Sequence, residues 1–349
     1  MNLLNNKGLL KMESVKKFKR VLQIAALAGT TALIGSLPSV QASQMVVTSE
    51  IPLTVNPSPY IVQFIDEVAK RTNGGIKGKY FHAATLYNDR DAIAALGTGA
   101  VQVVFPVISR LEQMDPRIGV ASLPFSLTSE KMANRCFADG YTKMLSGYIE
   151  PKGAKILGIL RTADLMFLMK SKDVQKLEDL RGQKIRVISG GVILDTMKSI
   201  QASPVALAAT ELSPAISQGV IDGMITSPAG WADVVGITAK HATLAPGMAL
   251  ATSAILVDKK WFDGLPAAQS KAIQDVVDEI IKRQWAETIA NDQKLIKRMV
   301  DQGGVYRVMA PAEVARLKER FVTAGASFRK QHAEAVGRAE ALEATCGVK

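Results

Sequence analysis

The run "PAAQSKAIQDVVDEIIKRQWAETIANDQKLIKRMVDQ", Pro266 to Gln302, contains no glycine and no proline after its first residue. Apolar residues recur at Ile273, Val276, Val277, Ile280, Ile281, Trp285, Ile289, Leu295, Ile296, Met299 and Val300, the spacing of one helix face. Gly303 and Gly304 close the run, as glycine does past a helix C-terminus. Such a helix would be roughly 55 Å long at 1.5 Å per residue, more than one small domain needs. The stripe follows a 3.6 period more closely than a strict heptad, which favours a helix laid across two lobes over a coiled-coil seam.

Short apolar strands alternate with amphipathic helices through the rest of the chain. "YIVQFIDEVAKRT" has helical spacing at Ile61, Phe64, Ile65 and Val68 and stops at Asn73-Gly74-Gly75. A strand at Lys79–His82, a helix from Asp89 to Leu96 and the strand "VQVVFPV" follow. "AKILGIL", "LMFLM", "KIRVIS", "VILDTMKSI" and "VIDGMIT" continue the alternation. This order predicts α/β architecture with largely parallel sheets.

The first 42 residues read as an export signal. Lys16, Lys17, Lys19 and Arg20 precede an apolar run from Val21 to Leu37, and Val40-Gln41-Ala42 offers a small-residue cleavage pattern. Met12 stands closer to the basic region and is an alternative start. Gly29, Gly35 and Pro38 interrupt the run, which disfavours a membrane anchor. The expected product is a periplasmic protein of 349 − 42 = 307 residues. The leader holds six Lys/Arg and one Glu, so the net charge falls from +11 to +6. No Lys/Arg run interleaves with aromatics, which argues against nucleic acid; a mildly basic body suits small anions. The two cysteines, Cys136 and Cys346, favour unpaired thiols over a disulfide by count alone.

Catalytic hardware is sparse. "LGTGAV", Leu96 to Val101, lacks the third glycine of a dinucleotide site and precedes a strand, so it reads as a helix-ending turn. No G-x-S-x-G elbow, Walker A loop or paired Cys-x-x-Cys occurs, and His82, His241 and His332 are too scattered to suggest a metal. No cofactor is expected.

"DLRGQKIRVIS", Asp179 to Ser189, sets a guanidinium, Arg186, inside an apolar strand. Burying that charge alone costs several kcal/mol, so it needs a carboxylate partner. Asp222 or Glu211 of this chain, or an acid from outside, would serve.

These residues resemble a family. "DLRGQKIRV", then Glu211 ahead of "SPAISQGVIDGMITSP", resembles the signature of the TRAP-type (tripartite ATP-independent periplasmic) solute receptors of the DctP family. "TLYNDRDAIAALGTGAVQVVF", "SLPF" at 122–125 and "WFDGLPAAQSKAIQDV" extend the resemblance over the mature chain. It implies a two-lobed periplasmic-binding-protein-like α/β fold, with a ligand cleft between lobes and a long helix spanning both. Residues 43–163 with about 252–285 would form lobe I, and 164–251 with about 286–349 lobe II. It further implies a monomer that catalyses nothing, binds a small organic acid and delivers it to membrane-embedded TRAP permease subunits. A receptor feeding a sensor kinase, or a periplasmic enzyme on the same scaffold, are the alternatives.

By the same resemblance Arg186 holds the ligand carboxylate in a bidentate fork. Met166, Val107 and Ala209 stand where sialic-acid-type pockets carry an arginine, an acid and an aromatic, which argues against a heavily hydroxylated sugar acid. Arg161, on the preceding strand, is not the missing arginine. Asp89 matches a family acid but equally suits a helix cap. Trp231, just past the strand ending at Thr226, is placed either to stack on a ligand or to pack in the core. Tyr87 and Phe105 are weaker candidates of that kind, and Thr226, Ala209 and Thr210 complete the predicted contacts.

Overall fold

The computed structural model describes residues 43–188 and 190–348; the expected leader, 1–42, lies outside them. Eleven strands form two sheets among these residues. The principal elements, in chain order, are β1 (Ser43–Thr48), α1 (Ser58–Arg71), β2 (Ile76–Phe81), α2 (Asp89–Ala95), β3 (Val103–Val104), α3 (Arg135–Ile149), β4 (Ala154–Asp164) and β5 (Met166–Met169). There follow β6 (Lys184–Val187), α4 (Gly191–Ser199), β7 (Ser203–Ala206), β8 (Gly223–Thr226), β9 (His241–Leu244), β10 (Leu250–Asp258), α5 (Ala267–Asp301), β11 (Val305–Val308), α6 (Pro311–Ala324) and α7 (Ala333–Cys346).

The first sheet has the order β2-β1-β3-β10-β4 and the second β11-β9-β5-β8-β6-β7. Both are mixed, which corrects the expectation of largely parallel sheets. β10 runs antiparallel to β3 and β4, and β5 antiparallel to β8 and β9. The cause is the crossing between sheets: β4 leads through Leu165 straight into β5, and β9 returns through 245–249 to β10. A chain that leaves one sheet and enters the other this way adds one reversed strand to each.

Both faces of each sheet are covered, so their strands are apolar on both sides. In β10, Ala254 and Leu256 face the core shared with α3 and α7, while Ile255 and Val257 face the core under α1 and α5. In the second sheet Phe167, Ile185, Val187 and Ile225 share one core with Leu317 and Phe321 of α6. Met166, Leu168 and Met224 share the other with Trp231.

α5 spans both lobes. Ile273, Val276, Val277, Ile280 and Ile281 pack in the first lobe's core, and Met299 in the second's. Between them the buried stripe is polar: Gln284, Thr288 and Asp292 face inward, while Ile289 and Val300 of the predicted stripe are exposed. Gln284 Oε1 accepts the Arg161 N–H at 3.0 Å, and Asp292 Oδ2 accepts from Arg161 Nη1 at 2.7 Å. The helix therefore meets β4, on its way to the second sheet, through hydrogen bonds and an ion pair.

Two further expectations are corrected near the C-terminus. Cys136 and Cys346 form a disulfide, 210 residues apart in sequence; a count of two carried no information on the distance between them. α7, assigned above to lobe II, packs through Ala335, Val336 and Ala339 against α3 in the first lobe's core. Lys131 Nζ donates to Glu343 Oε1 at 2.7 Å and Asn134 Nδ2 to the Cys346 carbonyl at 3.1 Å, holding it there.

Candidate functional site

β6 pairs with β7 and β8, which places Arg186 beside Met224. Side chains alternate across a strand, so Arg186 shares its face with Met224 and Met166, while Ile185 and Val187 point to the opposite core. Arg186 is only 3% exposed. Its Nε and Nη2 donate to the Leu207 carbonyl at 3.0 and 2.8 Å, and Nη1 to the Ile225 carbonyl at 3.5 Å. The guanidinium is thus held in place by dipoles.

The two internal acids considered above have other duties. Asp222 Oδ2 accepts from Lys184 N at 2.7 Å and Glu211 Oε2 from Ala208 N at 2.8 Å. No carboxylate among the described residues forms an ion pair with Arg186. Burial pulls the arginine down to about 10, against the fields of Glu50 and Glu211 and together with that of Arg110.

Glu50 and Arg110 belong to the first lobe and follow the ends of β1 and β3, where α/β sheets place ligands. Glu50 is 2% and Asp89 0% exposed. The two are tied reciprocally: Asp89 Oδ1 accepts from Glu50 N at 3.4 Å, and Glu50 Oε2 from Asp89 N at 3.2 Å. Asp89 Oδ2 accepts from Val107 N at 3.3 Å. Asp89 therefore fastens the two strand ends together and does not cap its helix; Asn88 does that, accepting from Asp91 N at 2.9 Å. Burial, then the neighbouring Glu50, hold the Asp89 carboxyl well above the usual carboxylate range. Arg110 Nη2 stands 4.0 Å from Glu50 Oε1.

The other predicted residues divide. Met166 and Thr226 are register partners on β5 and β8 and both buried on the Arg186 face. Ala209 and Thr210 lie in a 3-10 turn just beyond Leu207, with Thr210 exposed. Val107 is half-buried and lines a small apolar cavity of about 60 Å³ with Ile108, Leu123, Val187, Ile225 and Leu250. That cavity is far below the volume a solute site needs. Trp231 is corrected to core: it is fully buried and its indole N–H donates to the Ala239 carbonyl at 2.8 Å. Phe105 is core as well, edge-on to Phe64 with ring centres 5.8 Å apart. Tyr87 is half-buried against the small cluster of Ala92, Val101 and Val104.

Sequence reasoning missed Glu50, Arg110 and Glu112. Glu112 Oε1 receives a hydrogen bond from Ser122 Oγ at 2.9 Å in the first lobe, and its Oε2 accepts from Gly191 N at 2.9 Å, at the start of α4 in the second. Burial pushes its carboxyl up. Gly190 has φ +99°, and a Cβ there would lie 2.6 Å from Glu112 Oε1, so the approach needs glycine. The available signal was positional and held for Glu50, which follows the end of β1 on the ligand side of an α/β sheet, but not for Glu112, which lies in the 3-10 helix Ile108–Gln113.

The profile of bacterial extracellular solute-binding protein family 7, DctP, matches residues 58–331. The chain belongs to this family. Among family 7 relatives, the C4-dicarboxylate-binding periplasmic protein DctP of Rhodobacter capsulatus is 26% identical over 80% of this chain and 85% of its own. An extracytoplasmic solute receptor of Bordetella pertussis that binds pyroglutamic acid has a TM-score of 0.78 at 23% identity, covering 86% of this chain and 99% of its own. A sugar acid binding protein of Advenella mimigardefordensis, in complex with galactonate, has a TM-score of 0.80 at 20% identity, covering 87% and 98%. The family 7 fold is thus the two-lobed one described above.

Proposed function

We propose that this family 7 protein is the extracytoplasmic solute receptor of a TRAP transporter, exported by a leader cleaved after Ala42. It takes up a small organic acid anion and delivers it to the membrane permease. Arg186 receives the carboxylate, with Thr226, Met166 and the Ala209–Thr210 turn around the solute on the second lobe, and Asp89 and Val107 shaping the wall of the first. The lobes hinge where β4 passes into β5 and β9 returns to β10, and a solute touching both lobes favours closure.

The observation that carries this reading is the state of Arg186. It is buried, pre-oriented on the Leu207 and Ile225 carbonyls and without a carboxylate partner among the described residues. A charge-assisted fork of that kind is completed by an incoming carboxylate. Glucuronate, galacturonate and succinate appear in solved relatives, so the solute class is an acid; the apolar Met166 favours an apolar body over a sugar acid.

Thermal melts of wild type and Arg186→Lys, across monocarboxylates, dicarboxylates, keto acids and sugar acids, test it. Lysine keeps the charge and loses the fork, so binding should weaken by about 2–4 kcal/mol while unliganded stability changes little. A marked loss of unliganded stability with normal ligand shifts would assign Arg186 a structural role instead. Largest shifts from sugar acids would overturn the apolar-body preference alone.

A further inference from the structure

Two guanidiniums flank the candidate site. Arg186 lies on the second lobe and Arg110, in the 3-10 helix Ile108–Gln113, on the first. Burial and then Glu50 act most on both Arg186 and Asp89, and the field of Arg110 reaches both as well, so these groups sit close together. The Arg110 side chain is 17% exposed. It lines a cavity of about 310 Å³ between the lobes, with Glu112 on its own side and Gly190 and Gly191, just past β6, on the other.

Neither guanidinium is fully engaged. Arg186 commits its Nε–Nη2 edge to the Leu207 carbonyl, at 3.0 and 2.8 Å, and Nη1 reaches the Ile225 carbonyl only at 3.5 Å. Its Nη1–Nη2 end is the part left to receive oxygens from outside. Arg110 is paired with Glu50, Nη2 standing 4.0 Å from Oε1, where charge attraction acts without a hydrogen bond. Its Nε is buried and has no hydrogen-bond partner among the described residues. A buried donor of this kind is costly unless an acceptor reaches it. A carboxylate offers about four acceptor positions. The free end of Arg186 fills two of them, and in a cleft closed against water the others need a second donor.

We propose that Arg110 is a second binding residue, donating to the same solute carboxylate that Arg186 holds, with the nitrogens that Glu50 does not take. The inference rests on the Arg186 reading above. One carboxylate is then gripped from both lobes. Two cations that repel each other across the cleft are brought together by the anion between them, so closure is favoured when the acid is present.

Isothermal titration at pH 7.5 tests it, with succinate and its monoamide succinamate, and glutarate and its monoamide glutaramate. A shared grip on one carboxylate predicts that Arg110→Gln weakens every member that binds by at least about tenfold, monoanion and dianion alike. Arg110→Lys keeps the charge and loses the fork, so its affinities should fall between. Weakening confined to the two dianions would mean that Arg110 meets a second carboxylate. Unchanged affinities in a folded variant would mean that it serves Glu50 alone. Either result overturns the proposal, as does failure of both amides to bind wild type. If Arg110→Gln does not fold, Arg110→Lys is judged by the same comparison. Arg186→Lys separates the two claims. Binding lost in Arg186→Lys but intact in Arg110→Gln sinks this inference alone. Unchanged binding by Arg186→Lys overturns the Arg186 reading and this inference with it.

Discussion

Arg161 shows how a buried guanidinium is satisfied when it has no ligand to hold. It donates to Asp292 Oδ2 at 2.7 Å, Asp164 Oδ2 at 2.9 Å and Ser129 Oγ at 3.2 Å. Burial, with Asp164 competing for the same arginine, holds Asp292 up to about 6. A folded value above the unfolded one means that Asp292 stabilises the fold below the unfolded value, and that this contribution is lost as pH rises through about 6. The stability advantage of wild type over Asp292→Asn should therefore shrink between pH 4 and pH 7, by on the order of 3 kcal/mol, in chemical denaturation at several pH values. An advantage that grows over that range would mean the ion pair outweighs burial. At this scale the sequence was partly legible. An arginine in an apolar strand, Arg186, announces itself because its charge conflicts with its setting. Trp231 and Phe105 do not, because an aromatic side chain suits a core and a ligand pocket equally, and only the surrounding elements choose.

Among the elements, α5 was the most legible, because no glycine or proline breaks it and its period is sustained. Its polar middle was not, since Gln284, Thr288 and Asp292 are buried only because β4 crosses there. Ala290 is exposed in that region. Ala290→Pro should cost about 3 kcal/mol through the lost mid-helix hydrogen bond and its clash, and should loosen closure measured by small-angle scattering. Normal ligand-driven compaction in a folded variant would remove α5 from the hinge. α7 went unread because its destination depends on a cross-link that two isolated cysteines do not reveal. The bond closes a loop of 210 residues, so a Cys136→Ser, Cys346→Ser variant should lose up to about 5 kcal/mol. Its α7 amides should exchange faster than those of α1; uniform exchange would argue that α7 is held by its core contacts alone.

For the whole molecule, the two-lobed arrangement was legible from the alternation of elements plus one helix too long for a single lobe. The strand directions were not, because crossings between sheets leave no local pattern. Among the contacts between the lobes, Glu112 accepts from Gly191 N: a carboxylate set at the N-terminus of α4, where the helix dipole favours it. Glu112→Ala should enlarge the radius of gyration of the unliganded protein and weaken solute binding without changing which solute is preferred; an unchanged radius would place closure elsewhere. The central claim is that closure encloses an acid held by Arg186. Mass spectrometry of the solute released on denaturing freshly purified periplasmic protein, wild type beside Arg186→Lys, tests it most directly. The account predicts a small carboxylic acid near one per chain from wild type and its loss from the variant. A neutral or cationic solute, or equal recovery of the acid from Arg186→Lys, would contradict it.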